Sequence, residues 1–293
     1  MADTAVVTSF FNFAGFKVPQ RNLRRWKRYM DSLSIPNFGI ELVLPGQEAV
    51  SADWKGWTQL QVVRELHMLF QKEAALNVLV NSLPSRFTKV IICDCDVFFA
   101  NSAWYQQTSA LLDHFKVVYP YSTAHWTDDS GKVFLSRASV GADPNGLWPK
   151  WRAHPGFCVG LTRDFWTTVN GLFPFYVVGS GDTALAVAAL QKEPAHKVFT
   201  CSANLLSVYI EWYEEVGKWS QRKVAYTKGD LYHEHHGDRS KRMYGERLEW
   251  ITRLDPRTHL KFTNEGLLEW TPEAPVEMVE RVRDYFIARQ EDE

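Results

Sequence analysis

Residues 90–99 read VIICDCDVFF, two carboxylates set in a run of Val, Ile, Cys and Phe. Apolar runs of this length and composition predict a buried strand. A carboxylate buried in such a strand is costly unless it is ion-paired or bound to a metal. The segment therefore restricts the fold and calls for a counter-charge at one place in it. The i, i+2 spacing of Asp94 and Asp96 puts both carboxylates on one side of an extended backbone.

The flanking segments supply the rest of the sheet. Residues 5–13 and 38–46 are β-branched and aromatic and predict two further strands, the second ended by Pro45 and Gly46. Residues 18–33 predict a helix with Pro19 in its first turn. Residues 58–83 carry apolar residues at helical spacing with few breakers and predict a single long helix. WYQQTSALLDHF predicts a helix and KVVYPYS a strand. Strands alternating with helices indicate an α/β fold, a mostly parallel sheet flanked by helices. Ligands of such sheets sit beyond the carboxyl ends of the strands, which is where Asp94 and Asp96 fall. Residues 127–150 are polar and rich in Gly, Asp and Pro, and predict a long loop beside that edge. Further on, 154–175 predicts strand then helix, 177–191 a glycine turn and a helix, LLSVYIEWYEEVGKWSQRK a helix, and 229–253 an extended piece running into a helix. The segment PVEMVERVRDYFIARQEDE predicts an amphipathic helix. With no internal repeat or low-complexity linker, residues 1–253 form one domain and 254–293 a C-terminal helical extension.

Composition narrows the setting. A formal net charge of −1 gives no global attraction to nucleic acid or anionic membrane. No apolar stretch reaches the roughly 18 residues of a membrane span, and the first residues lack the pattern of a signal peptide. Four cysteines, Cys93, Cys95, Cys158 and Cys201, do not form a secreted disulfide framework. The expectation is a cytoplasmic protein.

Paired carboxylates at a strand end suit a hard divalent cation, Mn²⁺ or Mg²⁺, which takes oxygen ligands and often shares them with substrate phosphates. The structural alternative has one aspartate capping a turn and the other paired with a basic residue. His233, His235 and His236 lie in LYHEHHGD, and His236, or else His233, could complete a metal shell. Cys93 and Cys95 with a histidine could instead hold zinc, but they lack CxxC spacing and alternate away from Asp94. In GSGDTALA, glycines let the backbone approach a ligand closely, and Asp182 stands at a helix start. A carboxylate there is kept ionised by the helix dipole, as a general base requires; otherwise it is a cap. Six Lys/Arg and no acid occur between Lys17 and Arg28, a solvated face or a route for a polyanion. Trp126, Trp148 and Trp151 fall where indole faces could stack on sugars or bases, or in the core.

Together these pieces resemble the GT-A fold of nucleotide-sugar-dependent glycosyltransferases over roughly residues 5–253. CDCD looks like their Asp-x-Asp motif, with Cys95 an unusual middle residue. QKEAALNVLVNSL is similar to the helix that precedes that motif, with Lys72 and Asn77 in matching places. HPGFCVGLTRDFWTTVNGLF…VVGSGDTALA looks like the galactosyltransferase-type stretch, which Gly156, Asn170, Gly171, Gly181 and Asp182 match. That stretch usually carries Gly-Trp-Gly-x-Glu-Asp, and only Asp182 remains of its acidic pair. HHGDRSKRMYGER is similar to a pattern in uncharacterised phage and bacterial glycosyltransferase-like proteins. Sugar nucleotidyltransferases would need a G-x-G-T-R-x-x-P loop, which SFFNFAGFKVPQR does not supply.

The resemblance implies a metal-dependent hexosyltransferase using a nucleoside-diphosphate sugar, a UDP-sugar first. Asp94 and Asp96 would hold the metal with His236 or His233. Asp94, Lys72, Asn77, Gly156 and Gly181 would bind the donor, and Asp182 would deprotonate the acceptor with inversion. The acceptor would be a glycan or small molecule. The alternatives are DNA with a hydroxymethylated base, as in phage DNA modification, and an inactive sugar- or nucleotide-binding module.

Overall fold

The computed structural model describes residues 3–62, 64, 67–199 and 201–293. In chain order the elements begin β1 (Thr4–Phe11), α1 (Lys17–Ser32), β2 (Asn37–Val43), β3 (Trp57–Gln61), α2 (Lys72–Ser82), β4 (Lys89–Cys93) and β5 (Val97–Phe99). Then follow α3 (Trp104–Leu111), β6 (Val117–Tyr119), β7 (Thr123–Thr127), β8 (Val133–Ser139), β9 (Ala153–His154), β10 (Cys158–Thr162) and α4 (Arg163–Thr168). The chain continues with α5 (Gly181–Leu190), α6 (Ala195–Val198), α7 (Ala203–Ser220), β11 (Ala225–Tyr226) and β12 (Asp230–His233). It closes with α8 (Glu246–Glu249), α9 (Pro256–His259), β13 (Leu260–Phe262), β14 (Leu268–Trp270) and α10 (Val276–Ala288).

Seven strands form the central sheet in the order β11-β6-β10-β4-β1-β2-β3. Its pairings are parallel except those of β10, which runs antiparallel between β4 and β6. The fold is α/β with a mostly parallel sheet, as its strand–helix alternation predicts. Every residue of β4 is buried, so the apolar run of 89–93 is a central strand covered on both faces. A second sheet, β5-β12-β7-β8-β9, stands at its carboxyl edge. β5 is the direct continuation of β4 after the Asp94–Asp96 turn, so the two aspartates sit at the junction of the two sheets. α1 buries Asn22, Leu23, Trp26 and Met30 and leaves its basic residues on the other face. No helix is long and apolar enough to cross a membrane among the described residues.

Several expectations are corrected. The single helix over 58–83 is a strand, a connector and a shorter helix; Val63, Glu65 and Leu66 lie outside the described residues. Thr58–Gln61 pairs with β2 as the sheet's edge strand, and that pairing overrides helical spacing. The loop expected over 127–150 contains the β7–β8 hairpin, turned at Asp128–Lys132, where the Asp128 carboxylate accepts from the Ser130 and Lys132 amides. Residues 229–253 form only a 3₁₀ turn at Arg239–Arg242 and the one-turn α8 after the strand. Residues 254–293 are not wholly helical, because β13 and β14 pair across a turn with Gly266 at φ +87°.

Candidate metal centre and active-site cavity

The turn after β4 separates the two aspartates rather than aligning them. Asp94 donates its amide to the Phe157 carbonyl at 2.8 Å, and its carboxylate forms an ion pair with Lys72 at the start of α2. Burial would lower the Lys72 pKa, but the carboxylates of Asp94, Asp182 and Glu73 outweigh it and raise it. Asp96 instead faces the histidine loop. Its Oδ2 is 3.0 Å from His236 Nε2 and 3.6 Å from His233 Nε2, and the two Nε2 atoms are 3.0 Å apart. Despite its burial, Asp96 is held well below the usual carboxylate range by these two imidazoles. Thus Asp96, His233 and His236 form one cluster, with ligand atoms all within 4.8 Å of one another, and Asp94 stands outside it. His235 points elsewhere and meets the Glu293 carbonyl at 3.0 Å. No cysteine joins the cluster among the described residues; Cys93 ends β4 and Cys95 lies in the turn.

The cluster fits a divalent cation. Metal–ligand bonds of about 2.1 Å at right angles place neighbouring donors about 3 Å apart, which the Asp96–His236 and His233–His236 separations match. Asp96 Oδ1 and His233 Nδ1 are buried without a hydrogen-bond partner among the described residues. Buried polar atoms are normally satisfied, and a bound cation with its waters would satisfy the aspartate.

His236 is braced from behind. Its Nδ1 is 3.1 Å from Glu291 Oε1, the same oxygen that accepts from Arg242 at 3.0 Å and Arg289 at 2.6 Å. Glu291 is 7% exposed, and despite that burial Arg289, His236 and Arg242 hold it well below the usual range. Gly237, at φ +83°, brings the loop against this segment: a Cβ there would lie 2.9 Å from the Glu291 Cα.

Across the cavity, Asp182 lies in the first turn of α5, where its Oδ1 accepts from the Thr183 amide at 2.7 Å. Gly156 makes room for it: a Cβ there would fall 2.1 Å from Asp182 Oδ2 and 3.2 Å from His154 Nε2. A Cβ on Gly181 would fall 2.1 Å from Glu73 Oε1. Glu73 is 3% exposed, with its Oε2 unpartnered among the described residues, and burial pushes its pKa up to about 7 against the opposing pull of Lys72. Burial also lowers His154 to about 3, against the nearby Asp182, so its imidazole is neutral.

Trp126 and Phe157 form an aromatic wall, with Phe157 stacked on His233 at 4.6 Å. Trp151 lines the cavity and Trp148 packs edge-on against it at 5.8 Å. The whole cavity measures about 660 Å³ and contains Lys72, Asp94, Asp96, Asp182, His233 and His236 together. Asn77 is not brought into it. Its side chain donates to the Leu172 carbonyl and accepts from the Leu172 amide, both at 2.8 Å, and so fixes the Asn170–Gly171 turn.

Glu73, His154, Arg247 and Glu291 were not singled out by sequence. Glu73 had a signal, an acid beside Lys72 in an otherwise apolar helix. Glu291 had none, since RQEDE reads as a solvated charged run.

No family model matches the chain, and no curated protein does. Among solved structures it is similar to the catalytic domain of Drosophila β1,4-galactosyltransferase 7 in complex with xylobiose. The identity is 12%, over 95% of this chain and 98% of that one, with a TM-score of 0.46. A mutant of that enzyme with manganese, UDP-Gal and xylobiose gives 11%, 95%, 98% and 0.45. Mannosyl-3-phosphoglycerate synthase from Rubrobacter xylanophilus gives 13%, 91%, 83% and 0.42.

Proposed function

We propose that the protein is a metal-dependent glycosyltransferase of GT-A type, moving a sugar from a nucleoside-diphosphate sugar, a UDP-sugar first, to an acceptor hydroxyl. The observation that carries this reading is the convergence of Asp96, His233 and His236 at the carboxyl edge of the sheet, in one cavity with Asp182. Residues 1–253 would carry the catalytic domain, with 254–293 completing its cavity wall through Arg289 and Glu291.

Asp96, His233 and His236 would hold Mn²⁺ or Mg²⁺, which when bound neutralises charge on the leaving diphosphate. Lys72, anchored by Asp94, adds a fixed positive charge beside that position. Asp182 accepts the proton of the attacking hydroxyl. With Asp182 as the base and the acceptor hydroxyl attacking directly, transfer would proceed with inversion. Gly156 leaves room for the Asp182 carboxylate and Gly181 for Glu73, and Trp126 with Phe157 shields the reacting groups from water. His154, beside Asp182, is neutral and adds no charge of its own there.

The small acceptor is favoured over DNA with a hydroxymethylated base. The helix that would meet DNA has Arg25 paired with Glu234 at 2.8 Å and Lys27 with Asp31 at 2.6 Å. Two imidazoles and one carboxylate also suit Fe²⁺, so the metal is chosen by titration. Thermal shifts with UDP and UDP-sugars, in the presence of Mn²⁺, Mg²⁺ or Fe²⁺ and without metal, test the reading. The expected result is stabilisation by UDP that requires Mn²⁺ or Mg²⁺, with release of UDP from the sugar nucleotide. Absence of any nucleotide effect sinks it, and binding without turnover leaves the inactive binding module.

A further inference from the structure

Arg247 is 7% exposed and lines the cavity, yet no carboxylate pairs with it among the described residues. Its Nη1 donates to the Tyr285 hydroxyl at 2.7 Å, its Nε has no partner among the described residues, and its guanidinium lies 4.8 Å from the Tyr244 ring centroid. A buried guanidinium without an anion is costly. Arg239 lies over the same Tyr244 ring at 5.9 Å and over Trp126 at 5.2 Å, and it too is without an ion pair among the described residues. Arg137, on β8, lines the same cavity without an ion pair and is near enough to feel the charge of Arg239. Glu291 already neutralises the other two arginines of this wall, Arg242 and Arg289.

None of these three cations is ion-paired to Asp94 or to the metal cluster among the described residues. Arg247 abuts the loop that leads into α5: a Cβ on Gly179 would meet its Nη2 at 3.1 Å, and Asp182 follows three residues later. Arg247 therefore flanks the base side of the cavity, and Arg239 and Arg137 lie near enough to His154, beside Asp182, to act on its charge.

We infer that Arg247, Arg239 and Arg137 form a second anion subsite, so that the acceptor is a small molecule bearing a phosphate or carboxylate. This rests on the glycosyltransferase reading for the word acceptor, but not for the subsite. Guanidinium forks bind such planar or tetrahedral oxyanions through paired hydrogen bonds. Tyr244 and Trp126 hold the guanidinium groups of Arg247 and Arg239 in place through their ring faces.

Calorimetric titrations without metal, using glucose, glucose 6-phosphate and glucuronate, test the subsite. Wild-type protein is expected to bind at least one of the two anionic sugars and not glucose, and whichever binds identifies phosphate or carboxylate. Arg239→Gln and Arg137→Gln, both at half-buried positions, should each weaken that binding about tenfold. Arg247→Lys, which keeps the charge and loses the fork, should do the same. Affinity for UDP with Mn²⁺ should stay within about twofold in all three. Equal binding of glucose and both anionic sugars, or none by any, overturns the subsite. So does a parallel loss of UDP affinity in the variants, which would give the arginines to the donor diphosphate. A single-stranded oligonucleotide that binds more tightly than the anionic sugars, through the same arginines, overturns the small acceptor. If UDP fails to bind wild type while glucose 6-phosphate succeeds, the donor reading falls and the subsite stands.

Discussion

Glu291 Oε1 serves His236, Arg242 and Arg289 at once. A carboxylate on the far nitrogen of a metal-binding histidine fixes its tautomer and orientation. Glu291→Gln keeps the shape and removes the charge, so Mn²⁺ affinity should fall about tenfold, read by calorimetry, with the far-ultraviolet dichroism unchanged. Asp96→Asn should abolish measurable Mn²⁺ binding, whereas Asp94→Asn should leave it and lower stability by unpairing Lys72. Glu73 adds a pH signature. Its folded-state pKa of about 7 lies above its ordinary value of 4.5, so the folded chain keeps a proton that the unfolded chain releases. That contribution is whole below pH 4.5 and is lost as the pH rises through 7, at up to about 1.4 kcal/mol per unit. Urea unfolding across that range should show the slope in wild type and lose it in Glu73→Gln.

At the scale of elements, Asn77 binds α2 to the Asn170–Gly171 turn through two hydrogen bonds. Asn77→Ala should cost about 2 kcal/mol of stability, and UDP affinity should be unchanged. Loss of nucleotide binding at intact stability would return Asn77 to the donor site. Gly181→Ala should disturb Glu73, which its methyl would overlap, and shift the start of α5; a crystal structure or loss of activity would report it. Elements with a strong local pattern were legible: the apolar run of β4, the amphipathic α1, the glycine turn before α5. Elements decided by partners were not. β3 reads as helix by spacing and becomes a strand because β2 leaves an open edge. The aspartates read as parallel on a strand, but β4 ends at Cys93 and the turn sends each to a different partner.

At the scale of the whole molecule, the type of fold was legible because strand–helix alternation repeats along the chain. So was the neighbourhood of the site, because strand ends are where such sheets bind ligands. Its wall was not, since Arg247 and Glu291 are brought in by contacts across the entire fold that no local pattern encodes. That distance has a consequence for folding. Asp96, His236 and Glu291 are joined only when the central sheet, the second sheet and the segment after α10 are all in place. A chain missing any of the three lacks a ligand or the brace behind His236, so cation binding at full affinity reports completion of folding and not local order. During refolding, Mn²⁺ should reach its full affinity only in the last kinetic phase. At a hundred times its dissociation constant it should raise the unfolding free energy of the entire chain by about 2.7 kcal/mol, as a single cooperative transition.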